Sequence, residues 1–390
     1  MLRRITIPLL IPLLALGGGA WVTAGAALAG QADLARVAPA TATLAPGGVL
    51  NERTDTTTPA AVTLNGAGAN SIEPFFQRVF YDYNKANSQT TVNYSPAGSS
   101  VGVADIEQNT VNFGDSEIPM ASTDLAEATA GKIIQIPVDL GGVAVSYNLP
   151  GIKQGKLKLD GPTLAAIFDG TITNWDDSRI AQVSGLKDLP NLTIVPVHRA
   201  DSSGPGWDLD AYLIRTTRAW VSAIGTSKPS KTWPLPNVGV GEQLNSGVAT
   251  YIHQTPGAIG YVEYAYAFQS GFTNVALKNL AGRFLLPSER SIAAAGTNSP
   301  KIGAFRFDII DRPGVGTYPL ANFSWTLVYR KQPNLDTGIA LGKLLYYVVT
   351  QGQKAAAALG YAPMPAVDVQ LAVSGIEEVE TSMGARLFAS

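Results

Sequence analysis

The chain has 390 residues, 46% of them hydrophobic, enough to fill one large core or two ordinary ones, and this length favours more than one domain. With 28 Lys and Arg against 30 Asp and Glu, the formal charge of −2 leaves no field of one sign to hold a nucleic-acid backbone or an anionic membrane. Cysteine is absent, which excludes disulfides, thiolate metal sites, cysteine nucleophiles and a lipid anchor on cysteine.

In chain order, residues 1–29 read as an export signal. Leu2-Arg3-Arg4 is a basic start, 5–16 is an apolar run, and Ala27-Leu28-Ala29 has the small-x-small pattern of a cleavage point. Pro8, Pro12 and Gly17-Gly18-Gly19 interrupt the segment, against the roughly 20 apolar residues a spanning helix needs. Residues 30–60 are rich in Ala, Thr, Pro and Gly and read as a mobile tether. The protein is therefore expected outside the cytoplasm, whether periplasmic, secreted or held at the cell surface.

The folded part is expected to start with a strand over 62–64 and a glycine-rich turn. Ile72, Phe75, Phe76, Val79, Phe80 and Tyr83 then recur at helical spacing. A strand at 91–94, a helix around 101–108 and a strand at 111–114 complete a β-α-β-α-β run, which predicts a mainly parallel sheet covered by helices. Further on, 142–147, 193–197 and 257–262 read as strands and 161–168 and 207–216 as helices, a second α/β unit. A strand at 324–329, a helix over 335–350 and a last helix near 366–375 close the chain. No repeat of fixed period appears, against solenoids and propellers.

Three loops have the chemistry to hold an anion. In Gly66-Ala67-Gly68-Ala69-Asn70-Ser71, Asn70 and Glu73 make a capping-box pattern, which predicts a helix start at 70 or 71 with backbone N–H groups free for a negative ligand. Ser71 stands where a dinucleotide fingerprint would carry its third glycine. Gly98-Ser99-Ser100-Val101-Gly102 matches G-x-S-x-G, and Ser100, Asp201 and His253 follow the Ser, Asp, His order of one hydrolase fold, so a serine esterase built on Ser100 stays as an alternative. The chain has two histidines, His198 and His253, and no H-E-x-x-H, so neither a metal nor a cofactor is expected. In Arg199-Ala200-Asp201-Ser202-Ser203-Gly204, Arg199 can fork onto two oxygens of a tetrahedral anion while Asp201 orients it. Ser203 and the Gly204 N–H would add donors at the next helix start. Each loop follows a strand and opens a helix, where open α/β sheets bind their ligands.

These loops, with Leu64-Asn65-Gly66-Ala67-Gly68-Ala69, Ala97-Gly98-Ser99-Ser100, Val111-Asn112-Phe113-Gly114 and the run from Pro256-Gly257-Ala258-Ile259-Gly260-Tyr261 to Ala267, resemble the phosphate-binding proteins of ABC transporters. The marks stand in family order from about 62 to 370. The resemblance implies a type II periplasmic-binding-protein fold: two α/β lobes with a ligand cleft and two crossover strands, one lobe from 60–139 plus 316–390, the other from 140–315. It implies a monomer that captures inorganic phosphate without chemical change and delivers it to a membrane permease. The ligand would be held by Asn70, Ser71, Ser99, Glu117, Arg199, Asp201, Ser203 and Gly204. This chain departs from the family in three places: Asn70-Ser71 replaces a Thr-Phe pair, Glu117 replaces aspartate, and Pro205 replaces a threonine that supplies two donors. These changes keep another tetrahedral oxyanion open as the ligand. Asp115, two residues before Glu117, is a substitute acceptor if the strand continues.

Overall fold

Strand β1 (Val62–Gly68) is the inner strand of a parallel trio, pairing with β2 (Thr90–Ser95) on one side and β3 (Phe113–Ser116) on the other. Helix α1 (Glu73–Ala86) covers it with Phe75, Phe76, Val79, Phe80 and Tyr83, the stripe that i, i+3, i+4 spacing predicts. Helix α2 (Ser99–Glu107) links β2 to β3. The computed structural model describes residues 61–120, 128–298 and 308–388, which all belong to one unit spanning 45–390. The export signal and tether expected over 1–29 and 30–60 lie outside the described residues.

The centre of the sheet is built from two long strands, β4 (Ile133–Tyr147) and β9 (Ala321–Tyr329). Between them come β5 (Val195–Arg199), β6 (Val240–Glu242), β7 (Ala258–Glu263) and the short β8 (Thr273–Asn274). The order is β2-β1-β3-β9-β4-β7-β5-β6, with β8 also on β4. Residues 133–142 of β4 run antiparallel to β9, and residues 143–147 run antiparallel to β7. β5 is parallel to both β6 and β7. Two parallel α/β halves thus meet along antiparallel crossover strands, the class and architecture expected above. All fifteen residues of β4 are buried, as a strand covered on both faces requires.

Helices α3 (Gly161–Phe168), α4 (Gly204–Thr216) and α5 (Leu244–Gln254) belong to the second half, and α6 (Leu335–Val349) and α7 (Ala366–Ile376) return to the first. The predicted elements are found, with two differences that matter for the site. β1 continues through the glycine-rich segment to Gly68, and α1 begins at Glu73 rather than at 70 or 71. The capping box does not form: the N-cap is Ile72, and Asn70 meets Glu73 side chain to side chain, Nδ2 donating to Oε2 at 2.8 Å.

Candidate anion-binding site

The three loops, which follow β1, β2 and β5, converge beside the carboxyl end of β3. Gly98, with φ of 107°, places a would-be Cβ 3.1 Å from the Ser202 carbonyl and 3.4 Å from Asp201 Oδ2. A residue with a side chain would be strained there and would hold the second loop off the third. Ser100 Oγ and Ser202 Oγ then share a hydrogen bond of 2.5 Å between those loops. Ser100 therefore has a serine as its partner. His253 packs on Phe272, while His198 bonds the Arg199 carbonyl and stacks on Trp233. The hydrolase arrangement is not assembled among these residues.

Arg199 ends β5 with its side chain 2% exposed. It is the only Lys or Arg buried among the described residues. Nε donates to Asp201 Oδ1 at 2.7 Å and Nη2 donates to Oδ2, while Asp201 Oδ1 also accepts from the Leu244 N–H at 3.1 Å. This fork fixes the guanidinium plane and leaves Nη1 buried with no hydrogen-bond partner. A buried, charged donor left open is costly unless something fills it.

Glu117 follows β3 and is buried. Its N–H donates to Ser99 Oγ at 3.4 Å, and its Oε1 accepts from Asn322 Nδ2 at 3.3 Å. Oε2 is buried with no partner. Burial pushes the Glu117 carboxyl up to about 7, opposed by the Ser71 hydroxyl, the Arg199 charge and the Asn322 amide. The start of α4 presses against this side chain. A Cβ on Gly204 would stand 2.1 Å from Glu117 Oε2 and 2.3 Å from Glu117 Cβ, so only glycine permits the approach. Ser203 caps α4 by accepting from the Gly206 N–H at 3.2 Å, and Pro205 sits in the first turn, where its missing N–H costs the helix nothing.

The first loop is used differently from the sequence expectation. Asn70 Oδ1 accepts from both the backbone N–H and the side-chain amide of Asn245, and Nδ2 donates to Glu73 and to the Tyr266 hydroxyl at 2.9 Å. Two donors and two acceptor positions exhaust a primary amide. The Asn70 side chain is therefore a tie between the first loop and the second half of the protein. Ser71 Oγ accepts from Asn245 Nδ2 at 3.2 Å and lies beside Glu117. Asp115 is engaged elsewhere, although it and Glu117 feel each other's charge. Its two oxygens accept from Ser324 at 2.6 Å and Thr326 at 3.2 Å on β9, because β3 ends at Ser116 and the chain turns before Glu117. Asn245, Tyr266, Asn322 and Asp208, none singled out from the sequence, complete the polar surroundings. Of these, Asn322 alone carries a sequence signal, a lone polar side chain within the apolar stretch Pro319-Leu320-Ala321-Asn322-Phe323.

Residues 53–351 match the family model described as a PBP superfamily domain. The phosphate-binding protein PstS of Xylella fastidiosa (strain Temecula1) is 36% identical over 325 residues, covering 82% of this chain and 87% of that one. The chain belongs to the PstS family. Within that family, the PstS proteins of Pasteurella multocida and Haemophilus influenzae are 34% and 35% identical, covering 85% and 78% of this chain and 95% and 90% of theirs. A solved periplasmic phosphate-binding protein (PfluDING) bound with phosphate superposes with a TM-score of 0.64 at 20% identity, covering 80% of this chain and 93% of that one. The phosphate-binding protein of Stenotrophomonas maltophilia gives 0.62 at 16%, with the same coverage. At such identities the likeness establishes the fold, which is the type II periplasmic-binding-protein fold. Among the described residues no helix is long and apolar enough to cross a membrane, and no group of three or more His, Asp or Glu is placed to hold a metal ion.

Proposed function

We propose that this PstS-family chain is the extracytoplasmic solute-binding protein of a phosphate ABC transporter, capturing one inorganic phosphate between its lobes and handing it to a membrane permease without chemical change. One observation carries the reading: Arg199 Nη1 and Glu117 Oε2 are an open donor and an open acceptor, both buried where the three loops meet. Phosphate near neutral pH offers oxygens to the first and a hydrogen to the second. We assign Ser71, Ser99, Arg199, Ser203, Gly204 and Glu117 to the anion directly. Asp201 acts by orienting Arg199, and Asn70 contributes through its backbone while its side chain joins the halves. The lobes are taken as 60–139 with 316–390 and 140–315, and the protein acts as a monomer. The absence of cysteine leaves an export signal without cysteine lipidation as the route out of the cytoplasm.

Calorimetric titration of dialysed protein with phosphate, arsenate, sulfate and molybdate tests this. One phosphate per chain, with arsenate close behind and sulfate far weaker at pH above neutral, is expected. Preference for sulfate or molybdate would assign the site to another tetrahedral oxyanion, a reading that Pro205 favours because it offers no N–H or hydroxyl to the ligand. No hydrolysis of p-nitrophenyl esters is expected from the parent protein or from Ser100→Ala, and turnover lost in that variant would overturn the binding reading.

A further inference from the structure

Beside Glu117, one amide bonds to a carboxyl on each half. Asn322 on β9 donates from Nδ2 to Glu117 Oε1 at 3.3 Å and to Asp208 Oδ2 on α4 at 2.8 Å. All three side chains are buried, with residue exposures of 5%, 1% and 4% for Glu117, Asp208 and Asn322. The void they line with Trp207 and Trp325 measures about 10 Å³, no more than a single water. Two buried carboxyl groups that share one amide cannot ionise independently. Nδ2 carries one hydrogen for each carboxyl, so both bonds are held at once, and the two carboxyls act on each other electrostatically across the amide.

Building on the phosphate reading above, we propose that Asn322 and Asp208 are specificity-determining residues, a relay that sets whether Glu117 accepts a hydrogen from a protonated oxyanion or donates one to a bare oxyanion. Ionised Glu117 can only accept, so it repels sulfate, which carries no hydrogen. Protonated Glu117 can donate and so admits it. With burial pushing Glu117 up to about 7, that change falls near neutral pH, where an ordinary glutamate would be ionised throughout. The groups facing Glu117 are Arg199 from β5, Asp115 from β3, Asp139 from β4, Glu263 from β7 and Asp208 from α4, with the phenols of Tyr94 and Tyr361. Asp308 and Arg215 face Asp208 in turn. Of these, Asp208 alone is hydrogen-bonded to the same amide as Glu117, which makes it the group through which the relay is adjusted.

The test is the sulfate-to-phosphate affinity ratio, measured calorimetrically between about pH 5 and pH 9. In the parent, sulfate discrimination is strong on the alkaline side and collapses as pH falls through neutrality. Asn322→Ala removes a donor that favours ionised Glu117, so the collapse moves to higher pH by roughly half a unit to one unit, the equivalent of one hydrogen bond. Asp208→Asn removes the carboxyl whose charge, once it ionises, opposes that of Glu117 across the amide, so the collapse moves to lower pH. Opposite shifts are the signature, since general loosening of the fold would move both variants the same way. Should the alanine variant not fold, Asn322→Ser shifts in its place. Unshifted profiles, or shifts of one sign, overturn the relay while leaving phosphate capture standing. A parent protein that shows no phosphate heat at any pH overturns the phosphate reading itself, and the relay with it.

Discussion

Replacing Arg199 by alanine should weaken phosphate binding by a calculable amount. The guanidinium is the one buried Lys or Arg group among the described residues, and its fork onto Asp201 leaves one nitrogen for the ligand. Alanine strips the anion of its cation and leaves Asp201 with the Leu244 N–H as its remaining donor of those described. Breaking a buried charge pair costs about 2–5 kcal/mol, or roughly thirtyfold to several thousandfold in Kd. Most of that loss should appear as faster release, because changes in a binding contact act mainly on the dissociation rate. Arg199→Lys should recover only part of it, since an ammonium cannot hold Asp201 through two parallel donors and still present a third to the ligand. Calorimetry gives Kd and stopped-flow fluorescence gives the release rate. Kd within threefold of the parent for Arg199→Ala would make the third loop a structural turn and remove the site's central charge.

Three other outcomes follow from the same geometry. Gly204→Ala puts a Cβ 2.3 Å from Glu117 Cβ, too near the backbone to be relieved by a rotamer change, so phosphate affinity should fall at least about tenfold with the fold retained, checked by calorimetry beside circular dichroism. Pro205→Thr returns an N–H and a hydroxyl to the first turn of α4, and affinity should rise by up to about tenfold, one or two hydrogen bonds' worth; unchanged affinity would place the anion away from α4. The ligand-free protein should lose stability as pH rises from about 4.5 towards about 7. Glu117 holds its proton to about 7 in the folded state but ionises earlier when unfolded, so the native state binds more protons across that window. Burial pushes Asp115, Asp139, Asp208 and Glu263 in the same direction. Scanning fluorimetry in anion-free buffers should show a falling melting temperature, flattened in Glu117→Gln; a melting temperature that rises with pH would contradict the burial of these groups.

Periodicity made the covering helices legible, because α1 and α6 each bury one stripe and expose the other. The first half of β4 was not legible. Ile133 to Leu140 is buried on both faces and shows no alternation, and Pro137 argues against a central strand. The structure accommodates that proline at an irregularity, where pairing steps from Ser324 with Asp139 to Trp325 with Pro137. The three glycine- and serine-rich loops could be read because each site residue sits in a local motif beside a strand end. Asn245, Asn322 and Asp208 could not, since Asn245 is 175 residues from the Asn70 it holds and Asn322 is 205 residues from Glu117. The capping box at Asn70 misled for a related reason. Its side chain finds better partners across the fold than at the start of its own helix, and tertiary bonding overrides the local pattern.

The central claim is that one tetrahedral oxyanion fills the gap between Arg199 Nη1 and Glu117 Oε2. Anomalous diffraction at the arsenic edge from crystals grown with arsenate locates the anion directly, with no assumption about the protein. A single arsenic peak is expected within hydrogen-bonding reach of both atoms and of the backbone at Ser203 and Gly204. A peak elsewhere in the cleft, or an empty gap with both side chains paired to each other at saturating arsenate, would contradict it.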